Sequence, residues 1–252
     1  MTSTLGPLKS WSHSRLAEFE KCKFKVWLKN VERVAEPERP LPPGKMEHAN
    51  DRGSRIHDEC EQYVDGRSDY LPAEAERHFG HHLDLLRLLY VEKQVSLEGE
   101  WGMDRNWEPT DWAKAWHRCK LDAIVRPSKT HAIVIDYKTG KKWGNEIKHG
   151  EQMQLYLLNS FLRFPELEHV RTELWYLDLG ETTVQEMTRS QALRFKSNFD
   201  RRGHAITSCT EFPPNPNKFS CKWCMYGTFN GGTGHCTVGV DPDAFNKPRT
   251  SR

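Results

Sequence analysis

Apolar positions recur at helical spacing through the first ninety or so residues and then change to short strand-like runs. Leu16, Phe19, Phe24, Trp27 and Leu28 make a roughly helical face that ends near Asn30, and Ser12 ahead of them suits an N-cap. The Pro-rich stretch from Glu36 to Gly44 reads as a loop. A second helix is predicted from about Ala49 to Val64, with Gly53, His57 and Glu61 on one face at i, i+4 spacing. A third runs from about Ala73 to Lys93 around Leu83, Leu85, Leu86, Leu88 and Leu89. Strands are predicted at Val95–Trp101, Ala113–Val125, His131–Lys138 and Arg171–Leu179. A helix of about Gly150 to Phe164 lies between the last two, and another follows from about Arg189 to His204. From Phe212 onward Pro, Gly, Asn and Cys dominate, which predicts a small irregular lobe. The expected organisation is one domain over 11–236, made of a helical part (11–94), an αβ core (95–205) and a cysteine-containing lobe (206–236), between tails at 1–10 and 237–252.

The chemistry concentrates where the run Ala132-Ile133-Val134-Ile135 ends in Asp136-Tyr137-Lys138. Side chains alternate along a strand, so Asp136 and Lys138 share a face. A carboxylate and an ammonium at the end of a core strand are costly unless something there uses them. Residues 127–131 can turn the chain about Lys129, and a symmetric hairpin on that centre sets Asp122 across from Asp136. Cross-strand partners stand about 5 Å apart at Cβ, and two carboxylates that close repel in apolar surroundings. Either a hard cation such as Mg²⁺ or Mn²⁺ joins them, or one acid pairs with Lys138 while the other is exposed. Glu100, on a preceding strand, is a further candidate acid.

In this order and spacing, Gly53-x-x-x-His57, Asp122, Asp136-Tyr137-Lys138 and Gln152-x-x-x-Tyr156 resemble the RecB-type nucleases of the PD-(D/E)xK superfamily. Ser12-x-Ser14-x-Leu16 with Phe19-x-x-Cys22 and Phe24 is similar to that family's opening helix. The resemblance covers roughly residues 11–236 and extends to phage recombination exonucleases and CRISPR-associated adaptation exonucleases. It implies an α/β (α+β) fold with a restriction-endonuclease-like core, a central mixed β-sheet flanked by helices, and metal-dependent cleavage of DNA phosphodiesters. It also implies His57, Asp122, Asp136 and the Tyr137 carbonyl as ligands of Mg²⁺ or Mn²⁺, and Lys138 as the residue that orients water or stabilises phosphorane charge. Gln152 and Tyr156 would contact DNA or brace Lys138. Cys119, three residues before Asp122, departs from the family's usual glycine. The implied activity is exonucleolytic, in recombination, repair or end processing, with a structure-specific endonuclease or a weakly active DNA-binding subunit as alternatives.

Cys221-Lys222-Trp223-Cys224 is a C-x₂-C, followed by His235-Cys236, and Cys22 stands near the other end of the chain. Some RecB-type nucleases hold a [4Fe-4S] cluster with one N-terminal and three C-terminal cysteines. The longer gap between Cys224 and Cys236, and the neighbouring His235, keep Zn²⁺ and a metal-free lobe as alternatives. Cys60, Cys119 and Cys209 read as ordinary buried residues.

Composition limits the partners. Charged residues are 29% of the chain but nearly balanced at a net +2, so any DNA contact must come from local patches. Lys141, Lys142, Trp143 and Lys148 after the Asp-x-Lys strand, with Arg52 and Arg55 before His57, form the expected patch for phosphates and unpaired bases. Trp101, Trp107, Trp112 and Trp116 are expected mainly in the core. No apolar run approaches the ~20 residues of a membrane helix, no signal-peptide pattern opens the chain, and no G-x-x-x-x-G-K-[ST] loop is present. The expected setting is the cytoplasm of a bacterial or phage-infected cell, with DNA ends or single strands as partner, no membrane, and a recombinase, single-strand-binding or helicase protein, or self-association, as further partners.

Overall fold

A computed structural model describes residues 6–38, 41–229 and 231–241; the expected tails at 1–5 and 242–252 lie outside this range. In chain order the helical elements before the sheet are α1 (His13–Lys21), α2 (Lys23–Asn30), α3 (Ala49–Val64) and α4 (Ala73–Val91). Then come β1 (Val95–Met103), β2 (Pro109–Thr110), β3 (His117–Val125), β4 (His131–Lys138), α5 (Glu146–Arg163), β5 (His169–Tyr176) and β6 (Glu181–Thr188). The last helices are α6 (Arg189–Ala192), α7 (Lys196–Thr207) and α8 (Lys218–Cys221).

The chain divides into two compact units, Leu41–Asp200 and a second one assembled from both ends, residues 1–40 with 201–252. In the second unit the first two helices find their partners at the other end of the chain. Phe212 packs its ring against Phe19 and Trp27, with centroids 6.2 and 5.1 Å away. Arg202 binds both oxygens of Glu20 at 2.7 and 2.8 Å, and Asn215 Nδ2 donates to the Lys21 carbonyl at 2.9 Å. Residues 6–10 are not the loose tail expected: Leu8 and Ser10 are buried, and the Gly6 N–H donates to the Thr207 carbonyl at 2.9 Å. Ser12 does cap α1, its Oγ accepting the Arg15 N–H. The single helix expected up to Asn30 breaks at Cys22, whose extended backbone ends α1 and starts α2.

The larger unit is built on a six-stranded sheet in the order β2-β1-β3-β4-β5-β6. Only β4 and β5 run parallel, so the expected mixed sheet is observed. Along β4 alternate residues go to opposite faces. Ile135 and Tyr137 pack beneath Ile56, Cys60 and Phe79 of α3 and α4, while Ala132 and Val134 pack against Tyr156, Leu157 and Phe161 of α5. The strand is thus apolar on both faces, as expected for one that is covered by helices on each side. Trp101, Trp107 and Trp116 are buried as expected. The polar strand β6 lacks an apolar alternation, so periodicity did not reveal it; its core-facing demand is met by backbone pairing to β5 along its whole length.

The β1–β2 corner leaves no room at Gly102, where a Cβ would stand 2.7 Å from the Thr110 carbonyl oxygen and 2.8 Å from Ala115 Cβ. Gly102→Ala is expected to lower unfolding stability by about 1–3 kcal/mol, measured by urea titration; an unchanged midpoint would show that the corner yields.

Candidate active site

The strands β3 and β4 pair in the register expected from a turn centred on Lys129: Ala123 faces Ile135, Ile124 faces Val134 and Val125 faces Ile133. One further step would set Asp122 against Asp136, and there the pairing stops. β4 stays paired with β5 as far as Lys138, and β3 stays paired with β1 as far as His117. The two central strands therefore part at the acids while each remains held by its outer neighbour. Side chains take over the backbone groups that the ladder no longer serves. Asp122 Oδ2 accepts the Tyr137 N–H at 2.5 Å, and its Oδ1 lies 2.9 Å from His57 Nδ1, brought in by α3. Tyr156 Oη, from α5, reaches the Lys120 carbonyl at 3.1 Å.

Asp136 and Lys138 emerge together on the α5 side and form a close ion pair. Gln152 ties this pair to the helix: Oε1 accepts Lys138 Nζ at 2.9 Å, and Nε2 donates to Tyr156 Oη at 2.7 Å. The Tyr156 hydroxyl also makes a short hydrogen bond to Asp136 Oδ1. The spacing Gln152-x-x-x-Tyr156 places both groups on one face of α5, which is why two residues a turn apart can address one carboxylate. Both readings of the acids left open by the sequence thus meet a definite arrangement: Asp136 pairs with Lys138, yet it is only 5% exposed and Asp122 is not a surface residue either.

The electrostatics follow from that crowding. Burial, and then the negative charge of Asp136, push Asp122 above the usual carboxylate range, against the opposing pull of His57 and the Tyr137 N–H. Burial alone would lower His57, but its hydrogen bond to Asp122 and the charges of both acids raise it above its ordinary value. The Tyr156 hydroxyl is pushed well up by burial and by Asp136, so it stays protonated and can only donate to that carboxylate. Two acids, one imidazole and one ammonium thus gather where β3 and β4 part. Beside them lies a cleft of about 300 Å³ lined by Gly53, Ser54, His57, Asp58, Lys120 and Asp122.

A sequence profile of the PD-(D/E)XK nuclease superfamily matches residues 10–229. The chain belongs to that superfamily. Its mixed sheet flanked by helices is the superfamily's restriction-endonuclease-like fold, and membership supports a nuclease, an enzyme of phosphodiester bonds. Among solved structures the chain is similar to SSO0001, at 15% identity over 91% of this chain and 90% of that one, with a TM-score of 0.38. It is also similar to an alkaline exonuclease from Laribacter hongkongensis, at 14% identity over 79% and 86% of the two chains, with a TM-score of 0.32. No curated protein matches the chain.

In this PD-(D/E)XK protein the expected ligands border one opening but do not converge on one point. Among the described residues, no group of three or more His, Cys, Asp or Glu side chains stands ready to hold a metal ion. The reason is visible in the partners: Asp122 turns to His57 and the Tyr137 N–H, while Asp136 turns to Lys138 and Tyr156. The donor chemistry nevertheless fits a hard divalent cation, since Asp122 is buried beside a second acid with its pKa raised. Tyr137 packs its ring under the sheet, edge-on to His57.

The expected DNA patch is divided. Arg52 binds both oxygens of Asp178 at 3.0 and 2.6 Å, and Arg55 reaches Glu47, Glu59 and Glu74. Both guanidiniums are therefore already neutralised by carboxylates: Arg52 by Asp178, which is distant in the chain, and Arg55 by Glu47 and Glu59 nearby as well as by the distant Glu74. Lys142 is likewise paired, with Glu181 at 2.7 Å. Lys141, Lys148 and Trp143 are exposed, Trp143 by 75%. Glu100 is exposed opposite Lys120 and takes no part in the opening.

Cys22, Cys221, Cys224 and Cys236 border one cavity of about 260 Å³. Their thiols, too, are not gathered at ligating geometry, and Cys221 Sγ accepts the Asn217 N–H. Cys60 and Cys119 are buried, as expected, but Cys209 is only partly so, and its thiol donates to the Glu211 carbonyl at 2.9 Å.

Sequence patterns missed Asp178, whose Oδ2 accepts both Arg52 Nη1 and, at 2.6 Å, the Gly140 N–H two residues after Lys138. They also missed His149, which lies 2.8 Å from the Tyr176 hydroxyl. Burial, then the charges of Lys138 and Lys148, push His149 down to about 4. The unfolded chain takes up a proton near the ordinary value of 6.5 that the folded protein refuses until about 4. Stability therefore falls as pH drops across this window and is unaffected above it. His149→Gln is expected to flatten that part of a pH series of urea midpoints; a slope equal to wild type would refute a neutral His149.

Proposed function

We propose that this protein is a metal-dependent DNA exonuclease that hydrolyses phosphodiester bonds in recombination, repair or end processing. The observation that carries the proposal is the parting of β3 and β4 at Asp122 and Asp136, with His57 bonded to the first acid and Lys138 paired with the second. Superfamily membership supports it, and nucleases of this superfamily generally use Mg²⁺ or Mn²⁺. His57, Asp122 and Asp136, with the Tyr137 carbonyl, would hold that cation. When bound it polarises the phosphate and lowers the pKa of a water. Lys138, steadied by Gln152 Oε1, carries positive charge to the place where phosphorane charge develops and orients the attacking water. Gln152 and Tyr156 act through Lys138 and Asp136, fixing their rotamers, and are positioning residues. Lys141, Lys148 and Trp143 offer phosphate and base contacts after the Asp-x-Lys strand.

The test is cleavage of end-labelled linear DNA with Mg²⁺, Mn²⁺ or EDTA. Asp136→Asn and Lys138→Ala are each expected to lower the rate by about 10²-fold or more, and EDTA to abolish it. Closed-circular DNA is expected to survive; its cleavage at the linear rate would replace the exonuclease by an endonuclease on the same site. Undiminished cleavage by the variants would overturn the site itself.

The four cysteines around one cavity favour a second component, a [4Fe-4S] cluster or Zn²⁺ held by Cys22, Cys221, Cys224 and Cys236. Anaerobically purified protein is expected to absorb broadly near ~400 nm and to contain iron, both lost in Cys224→Ser. Zinc in a colourless preparation would select the alternative, and protein without either metal would remove the component.

A further inference from the structure

From Phe212 to Val240 the chain contains no Asp or Glu. Its two lysines each precede an aromatic residue, Lys218-Phe219 and Lys222-Trp223, four positions apart. Both aromatic side chains face solvent, Phe219 by 76% and Trp223 by 67%. Each ring carries its own cation: Lys218 Nζ lies 5.0 Å from the Phe219 centroid, and Lys222 Nζ lies 5.2 Å from that of Trp223. Both rings border the same cavity, together with Lys21 and Lys25. The acid on that cavity wall, Glu18, is paired with Lys25 at 2.9 Å.

Singly exposed apolar residues are ordinary, but two large rings four positions apart, each under an ammonium and bordering one cavity, form a built surface. The flat faces fit flat ligands, and the surrounding charge fits a polyanion. A duplex hides its base faces in the stack, whereas an unpaired strand offers a face at each nucleotide and phosphates between them. We propose that Phe219 and Trp223, with Lys218 and Lys222, form a binding surface for single-stranded DNA. Successive bases stack on the two rings, and the lysines neutralise the intervening phosphates. This surface shares no residue with the Asp136 site and does not depend on the protein being a nuclease.

The test uses full-length Asp136→Asn protein in EDTA, so that cleavage does not enter, and a labelled oligothymidylate read by fluorescence anisotropy. Phe219→Ala and Trp223→Ala are each expected to weaken binding about tenfold. Phe219→Tyr and Trp223→Phe, which keep a ring, are expected to bind as the parent does. Lys218→Ala and Lys222→Ala are each expected to lower the slope of log affinity against log salt by about 0.7. Blunt duplex is expected to bind independently of the ring substitutions. Unchanged oligothymidylate affinity in the double alanine variant would overturn the proposal. So would an equal loss in the ring-keeping variants, or an equal loss for blunt duplex. Retention of ring-dependent binding by a protein that cleaves nothing would remove the nuclease proposal and leave this one standing.

Discussion

The structure of the candidate site depends on where one ladder stops. β3 and β4 pair through Ala123 and Ile135 and then separate, although each continues along its outer neighbour. Continued pairing would face Asp122 and Asp136 across a buried rung, with nothing between two carboxylates. Their repulsion in apolar surroundings is relieved by letting the strands part. The parting in turn leaves backbone groups without ladder partners, and Asp122 supplies the missing hydrogen bond at the Tyr137 N–H, while the Tyr156 hydroxyl, which donates to Asp136, lies 3.1 Å from the Lys120 carbonyl. The same side chains that satisfy the backbone are thereby fixed as the walls of a polar opening in an otherwise apolar sheet.

Both faces of the sheet contribute to that opening. Asp136 and Lys138 come out toward α5, where Gln152 and Tyr156 hold them, while His57 comes from α3 on the other face. The two sides are kept in step by contacts just beyond β4. Asp178 binds Arg52 of α3 and the Gly140 N–H, and Gly53 leaves space at Thr139, where a Cβ would stand 3.2 Å from Oγ1. Arg52 and Arg55, which look like phosphate ligands in a linear chain, thus serve to anchor α3 through carboxylates. Charge of this kind works as registry: Arg52 and Arg55 of α3 reach Asp178 and Glu74 on other elements, and a shift of the helix would break those pairs.

Much of this was legible in advance because it rests on local regularities. The boundaries of the 131–138 strand and the 49–64 helix follow from apolar periodicity flanked by polar residues, and the turn at Lys129 sets the register of Asp122 and Asp136. Gln152 and Tyr156 share a helix face by spacing alone. Other features had no local signal. The break at Cys22 interrupts an unbroken helical pattern without Gly or Pro, and β6 is a polar strand recognisable only through its pairing with β5. Residues 6–10 look like a tail because the partner of Gly6, Thr207, lies at the far end of the chain.

By itself, the sequence determined which residues could do chemistry and how they alternate along their own elements, since side-chain direction within a strand or helix is a short-range property. Membership of the PD-(D/E)XK superfamily is likewise carried by sequence, in the match over residues 10–229. Tertiary structure alone decided how those residues are paired: Asp122 with His57 and a backbone N–H, Asp136 with Lys138 and Tyr156, Arg52 with Asp178. Which charge meets which is set by the docking of distant elements, and the free energy of a charge in a poor dielectric depends on the neighbours that docking delivers.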